Sequence, residues 1–106
     1  MSEQVRASHI LLMYAGSSRS SATRTKDEAL TEINALKDQI ANGADFAEVA
    51  KTNSDCPSGQ QGGDLGFFGR GMMVPEFDAA AFTMEVGTTS DVVETDFGYH
   101  LLQRTA

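Results

Sequence analysis

The chain has 106 residues, 41% hydrophobic and 22% charged, with a formal charge of −7 from 15 acidic and 8 basic side chains. That length makes one domain, residues 1–106, with its core over about 5–105. The apolar content is that of a globular protein, and the sequence has no run of 18 apolar residues to span a membrane as a helix. Basic residues are scattered rather than gathered on one face, so nucleic acid is not an expected partner.

The single cysteine leaves no internal disulfide. Together with an N-terminus that does not read as a secretory signal, it makes a cytoplasmic location the expectation; an excised or processed extracytoplasmic domain is the alternative.

Val5 to Tyr14 reads as a strand. Its alternating residues become apolar on both faces in the second half, which predicts a central position. His9 lies among these apolar residues, where a structural histidine held by a hydrogen bond and a functional one both fit. Ala15 to Arg24 is a loop of small residues with two arginines, Arg19 and Arg24.

Thr25 and Glu28 form a capping-box pattern at the start of a helix. Ala29, Ile33, Leu36 and Ile40 make its buried stripe, and Asn42-Gly43 ends it. Asp45 is expected to cap a second, short helix with Phe46, Val49 and Ala50 inward. Neither helix carries residues that suggest chemistry.

Ser54 to Phe77 holds the only cysteine, both prolines and most of the ten glycines. Each glycine disfavours a helix by about 1 kcal/mol against alanine, while Leu65, Phe67, Phe68, Met72, Met73, Val74 and Phe77 are too apolar for a disordered segment. An ordered turn, a short glycine-bearing strand and a loop remain, with apolar side chains around a polar site, as in a peptide or small-ligand pocket. Cys56 precedes Pro57 and is steered away from helical backbone. Gly62, Gly63 and Gly66 allow close approach of another chain or a ligand.

Pro75 suits the first turn of a third helix, with Phe77, Ala80, Ala81 and Met84 inward and Gly87 closing it. Val92, Val93 and Thr95, the turn Asp96-Phe97-Gly98, and Tyr99 to Arg104 form a terminal hairpin that carries His100. The order strand, helices, strand, helix, strand, strand indicates an α+β domain with a largely antiparallel sheet.

The strings A-S-H-I-L-L, S-D-C-P-S, G-G-D-L-G-F-F-G-R-G-M-M, P-E-F-D-A-A-A-F and F-G-Y-H-L-L, in this order and spacing, resemble the parvulin family of peptidyl-prolyl cis/trans isomerases. The resemblance runs from about Val5 to Thr105. It implies an FKBP-like superfold, a four-stranded antiparallel sheet surrounded by about four helices in the order β-α-α-(α)-β-α-β-β. By the same resemblance His9 and His100 sit side by side on neighbouring inner strands, and Cys56 stands where family members carry cysteine or aspartate. Leu65, Met73 and Phe77 would form the proline pocket, with Phe68 beside it and Thr95 in the hydrogen-bond network of the histidines.

The activity implied is rotation about Xaa-Pro bonds with no cofactor and no metal. Partners would be proline-containing peptides and unfolded or partly folded proteins, and the chain would act as a monomer. A thiol nucleophile at Cys56, activated by His9 or His100, is a competing reading; aspartate at this place in related proteins argues against an obligatory covalent step. Phosphate-specific parvulins carry a basic cluster just after the first strand. Here that stretch is Met13, Tyr14 and Ala15, with only Arg19 and Arg24 beyond, so weak or absent phosphate preference is expected. The alternative from another functional class is a non-catalytic peptide-binding chaperone module of a larger foldase.

Overall fold

The computed structural model describes residues 4–17, 20 and 22–106. Its elements run β1 (Gln4–Leu12), α1 (Lys26–Ala41), α2 (Phe46–Asn53), a 3-10 helix (Pro57–Gln61), β2 (Asp64–Gly69), α3 (Pro75–Thr83), β3 (Val93–Thr95) and β4 (Gly98–Arg104). The strands form one antiparallel sheet in the order β2-β1-β4-β3, the α+β architecture expected. Among the described residues no helix is long and apolar enough to cross a membrane.

β1 is central and buried on both faces from Ala7 onward, as its unbroken apolar run implies. It ends at Leu12, earlier than the Tyr14 expected. Beyond that point side chains take over its backbone groups: Met13 N–H donates to the Asp55 carboxylate, and the Arg24 guanidinium donates to the Met13 carbonyl.

The capping box at α1 is complete. Glu28 N–H donates to Thr25 Oγ1 at 3.1 Å, and Thr25 N–H donates to the Glu28 carboxylate at 2.9 Å. The Thr25 N–H bond to its carboxylate holds the Glu28 carboxyl below the ordinary range. Asp45 does stand at the N-cap of α2, but its side chain makes no capping bond. α3 starts with Pro75 and stops at Thr83, because Met84 turns extended. Gly87, expected to close this helix, lies beyond it and donates its N–H to the Arg104 carbonyl. The hairpin turn is two residues, Asp96 and Phe97, and Gly98 already belongs to β4.

Alternation along β1 and β4 divides the core in two. Ile10 pairs with Leu101 and Leu12 with Tyr99, and these side chains pack under α1 and α2 with Ile33, Leu36, Phe46 and Val49. On the other face Val5, Ala7 and Leu102 meet Phe68 of β2 and Phe77, Ala81 and Phe82 of α3. His9, paired with Leu102, and His100, paired with Leu11, belong to this second face.

The glycine at 63 is there for the chain's own packing, not for an outside ligand. Its φ is +82°, and a Cβ would stand 2.3 Å from the His9 carbonyl oxygen. Its own carbonyl accepts from His9 N–H at 2.9 Å. Gly62 is likewise closed in by Ala47 of α2. The glycine pair thus lays the end of the 3-10 helix directly on β1, beneath a site histidine.

Candidate active site

His9 and His100 are both buried, about 6% and 5% exposed. Their rings stack at 5.5 Å between centroids with 20° between planes, and the two Nδ1 atoms are 3.3 Å apart. One of these nitrogens must carry a proton and the other a lone pair, so each ring fixes the tautomer of its neighbour. Burial pushes His9 down to about 4. His100 is also lowered to about 4, by burial first and then by repulsion from His9. Near neutral pH the pair is therefore uncharged.

The outer nitrogens find hydroxyls. His100 Nε2 lies 2.7 Å from Thr95 Oγ1, which also accepts from Phe97 N–H at 3.2 Å. His9 Nε2 lies 3.1 Å from Ser58 Oγ, and the Ser58 hydroxyl donates to Cys56 Sγ at 3.2 Å. Cys56 is thus linked to the histidines through a serine. Among the described residues every buried side-chain nitrogen and oxygen has a hydrogen-bond partner, which is what makes polar groups at this depth tolerable.

The turn bearing Cys56 is clamped to the end of β1. Asp55 N–H donates to the Leu11 carbonyl at 2.7 Å. Ser54 Oγ accepts from Leu11 N–H at 3.1 Å and from Cys56 N–H at 3.4 Å. Cys56 itself is extended, φ −82° and ψ 139°, as its place before Pro57 requires, and Pro57 then opens the 3-10 helix that carries Ser58. Asp55 is held in turn by Arg24, which also pairs with Glu32 of α1.

Beside this polar chain lies an aromatic floor. Phe77 is buried and meets both imidazoles edge-on, at 5.6 Å to His9 and 5.8 Å to His100. Leu65 and Met73 are half-buried and pack against the same cluster. Phe68 is fully buried, 6.0 Å from both Phe77 and Phe82, so it supports Phe77 from beneath.

Phe67 and Met72 are not part of this floor. Both are exposed. Phe67 pairs with Arg6 on the opposite face of the sheet, and Met72 Sδ accepts from Gly69 N–H at 3.2 Å.

Two hollows of about 580 and 330 Å³ lie elsewhere. The larger is walled by Arg24, Asp27, Glu28 and Glu32 along α1, the smaller by mainly polar residues such as Arg6, Asp64 and Gln103. Neither includes a site histidine or Cys56, and neither offers the apolar floor that a ring substrate needs. Among the described residues no group of three His, Cys, Asp or Glu is arranged to hold a metal ion.

This arrangement can be set beside known proteins. The family description "PPIC-type PPIase domain" matches residues 1–106. The peptidyl-prolyl cis-trans isomerase Pin1 of Arabidopsis thaliana is 42% identical, over 98% of this chain and 97% of its own length. The Pin1 of Digitalis lanata is 41% identical, over 98% of each. Among solved structures, the isomerase ESS1 of Candida albicans superposes with a TM-score of 0.90 at 40% identity. The match covers 97% of this chain but 63% of that one.

The chain belongs to the PPIC-type, or parvulin, peptidyl-prolyl isomerases. It is a peptidyl-prolyl cis-trans isomerase, and its substrates are proline-containing peptides and proteins.

All eight residues singled out from the sequence fall within one connected region of this parvulin. What the sequence reading passed over is Ser58, together with Ser54 and Asp55. The signal was present in S-D-C-P-S, where hydroxyls flank the cysteine two positions away on either side. Pro57 turns that string so that one hydroxyl anchors β1 and the other reaches His9.

Proposed function

We propose that the proline ring of an Xaa-Pro segment packs on Leu65, Met73 and Phe77, above Phe68, while the amide before it twists beside His9, His100 and Cys56. No covalent bond forms. Supporting this reading above all is the edge-on contact of Phe77 with both imidazoles, which joins an apolar floor to a neutral, hydrogen-bonded polar wall.

Planar amide resonance sets a barrier of roughly 18–20 kcal/mol. In the twisted state the nitrogen regains its lone pair and the carbonyl loses partial charge. The transition state is then less polar than either planar form. Uncharged histidines and an apolar floor favour it over the ground states, which is the requirement for acceleration. A cation at this place would favour the wrong state. The role of Thr95 is to hold His100, and that of Phe68 is to hold Phe77.

For the residue before proline we propose broad acceptance with little preference for phosphate. Arg24, the described arginine of the loop after β1, is engaged by Asp55, Glu32 and the Met13 carbonyl. A phosphate would have to displace two carboxylates to reach it, and would meet their negative charge on the way. Arg19 lies outside the described residues.

Exchange NMR on Xaa-Pro peptides with leucine, glutamate or phosphoserine before proline tests the reading. Comparable acceleration of all three is the expected result. Acceleration confined to phosphoserine would overturn the specificity, and binding without acceleration would replace the isomerase mechanism by a peptide-holding role. Cys56→Asp is expected to keep activity within about tenfold, since no thiol attack is involved. Near-total loss with the fold intact would point to a nucleophile.

A further inference from the structure

The face of the sheet covered by α1 and α2 is open at one end, and the opening is polar. Ser8 and Gln103 are in step with Ile10, Leu12, Tyr99 and Leu101, so strand alternation puts them on that face. They pair across β1 and β4, and Ser8 pairs with Asp64 across β1 and β2. Gln103, Ser8 and Asp64 thus form one row over three strands. With Asp45, the N-cap of α2, this row lines the hollow of about 330 Å³. A regular ladder continued from the Arg6–Phe67 pair would set Leu65 opposite Ser8. The register shifts instead, with Gly66 at φ +70°, and Asp64 takes that place.

Ser8 is the unusual member of the row. It is about 8% exposed, yet its hydroxyl bonds to no described residue, and the small access it keeps is through the hollow. A hydroxyl at that depth normally has a partner. Arg6 and Asp64 are already committed: Arg6 donates to both carboxylate oxygens, at 3.2 and 2.6 Å, and Gly66 N–H adds a third bond at 3.0 Å. Asp45 makes no capping bond. With Arg6 and Asp64 cancelling, the charge left at the hollow is the negative one of Asp45.

We propose that this hollow is a second binding site, which takes the ammonium group of a lysine side chain in a partner polypeptide. An ammonium offers three donors and no acceptor. The Ser8 hydroxyl and the Gln103 carbonyl oxygen accept from it, inside the negative field of Asp45. An anion would meet both Asp45 and Asp64 and find Arg6 engaged. Phe67, 59% exposed and paired with Arg6, is an apolar shelf beside the hollow for a flanking residue, which favours a polypeptide over a small amine. Ser8 and His9 are neighbours that point to opposite faces, so a segment held here lies behind the imidazoles and leaves the proline floor free. A substrate protein anchored by a lysine at this end keeps its prolines at high effective concentration near the site.

Titrating ¹⁵N-labelled protein with the blocked peptide acetyl-Ala-Lys-Ala-amide tests the site without proline or catalysis. The amide shifts of Ser8, Ala47 and Gln103 are expected to move and saturate with a dissociation constant on the order of 1 mM, while those around Phe77 stay still. Acetylating the lysine removes its charge and should weaken binding at least about tenfold. n-Butylammonium, which has no flanking residue to lay on Phe67, should bind about fivefold more weakly than the peptide. No saturable shift at the hollow, equal binding of the acetylated peptide, or tighter binding of a glutamate peptide would overturn the proposal. Equal binding of n-butylammonium would make the hollow a small-amine site and overturn the polypeptide partner.

Two variants place the ligand. Ser8→Ala and Gln103→Ala are each expected to weaken the lysine peptide about fivefold, the worth of one hydrogen bond. Should Ser8→Ala disturb β1, as its amide spectrum would show, Gln103→Ala on the neighbouring strand decides. Unchanged affinity in a natively folded variant would put the lysine elsewhere and refute the site. Peptide binding at the hollow by an enzyme that failed to accelerate Xaa-Pro rotation would sink the catalytic mechanism and leave this site standing; an active enzyme that did not bind the peptide would do the reverse.

Discussion

The two faces of the sheet are built from the same two strands and solve opposite problems. On one, Ile10, Leu12, Tyr99 and Leu101 lock into α1 and α2. On the other, one residue out of step along each strand, His9 and His100 replace hydrocarbon at equal depth. The first face needs only volume and complementarity. The second must satisfy four ring nitrogens far from water, and does so by recruiting Thr95, Ser58 and each other. Stability and chemistry are thereby separated by a single step of strand alternation, which is why a one-residue register slip would exchange them and destroy both.

Truncating each face should show this separation most strongly. Phe77→Ala on the histidine side is expected to cost about 3–5 kcal/mol of stability. It should also cut kcat/KM by more than about tenfold, because the proline ring loses its floor. Leu101→Ala on the sealed side should cost about 2–5 kcal/mol yet leave kcat/KM of the folded fraction within about twofold. Denaturant titrations paired with peptide kinetics measure both. Equal loss of activity in the two variants would mean the faces are not independent.

Acid should act next, and on one face. Both histidines are lowered from 6.5 to about 4 in the folded protein. As pH falls below 6.5 the unfolded chain takes up protons that the folded one refuses, so stability drops between about 6.5 and 4 and then levels off for this pair. Each unit of depression is worth about 1.4 kcal/mol, so the loss amounts to roughly 3 kcal/mol for each ring. Asp64, held low by its hydrogen bond with Arg6, adds its own loss only at still lower pH. Denaturation midpoints from pH 8 to 4 test the slope, and kcat/KM should stay level through 6.5 and fall near 4, where the rings charge. An inflection near 6.5 in the rate profile would show that the rings are protonated far more easily than their burial implies.

The sealed face was the more legible one in the sequence. Ala29, Ile33 and Leu36 at helical spacing, Thr25 with Glu28, and the apolar run of β1 each have a local physical cause and were found where expected. The histidine face was read through the family resemblance, since neither His9 nor His100 is distinguished locally from a core histidine. Where local reasoning slipped, a partner distant in sequence decided the outcome. β1 stops at Leu12 because Arg24 and Asp55 claim Met13. Gly63 yields to the His9 backbone rather than to a ligand, and Phe67, a strong apolar signal, falls on the exposed side beside Arg6 because of the register of β2.

The smallest effect refines the picture of what seals the first face. Both covering helices begin at a residue type that caps well, yet only α1 uses its side chain: Thr25 receives Glu28 N–H, while Asp45 makes no such bond. Thr25→Ala should therefore cost about 1 kcal/mol, and Asp45→Ala only a few tenths, from the helix dipole alone. Neither should change isomerisation of a peptide substrate, because neither Thr25 nor Asp45 bonds to an imidazole or to Ser58 and Thr95, which hold the imidazoles. If Asp45→Ala proved as costly as Thr25→Ala, the aspartate would be capping α2 in solution, and the two helices would be anchored alike. If either change altered kcat, strain on the sealed face would be reaching the imidazoles through β1 or through the 3-10 helix that packs on both α2 and His9, and the division of labour between the faces would be incomplete there.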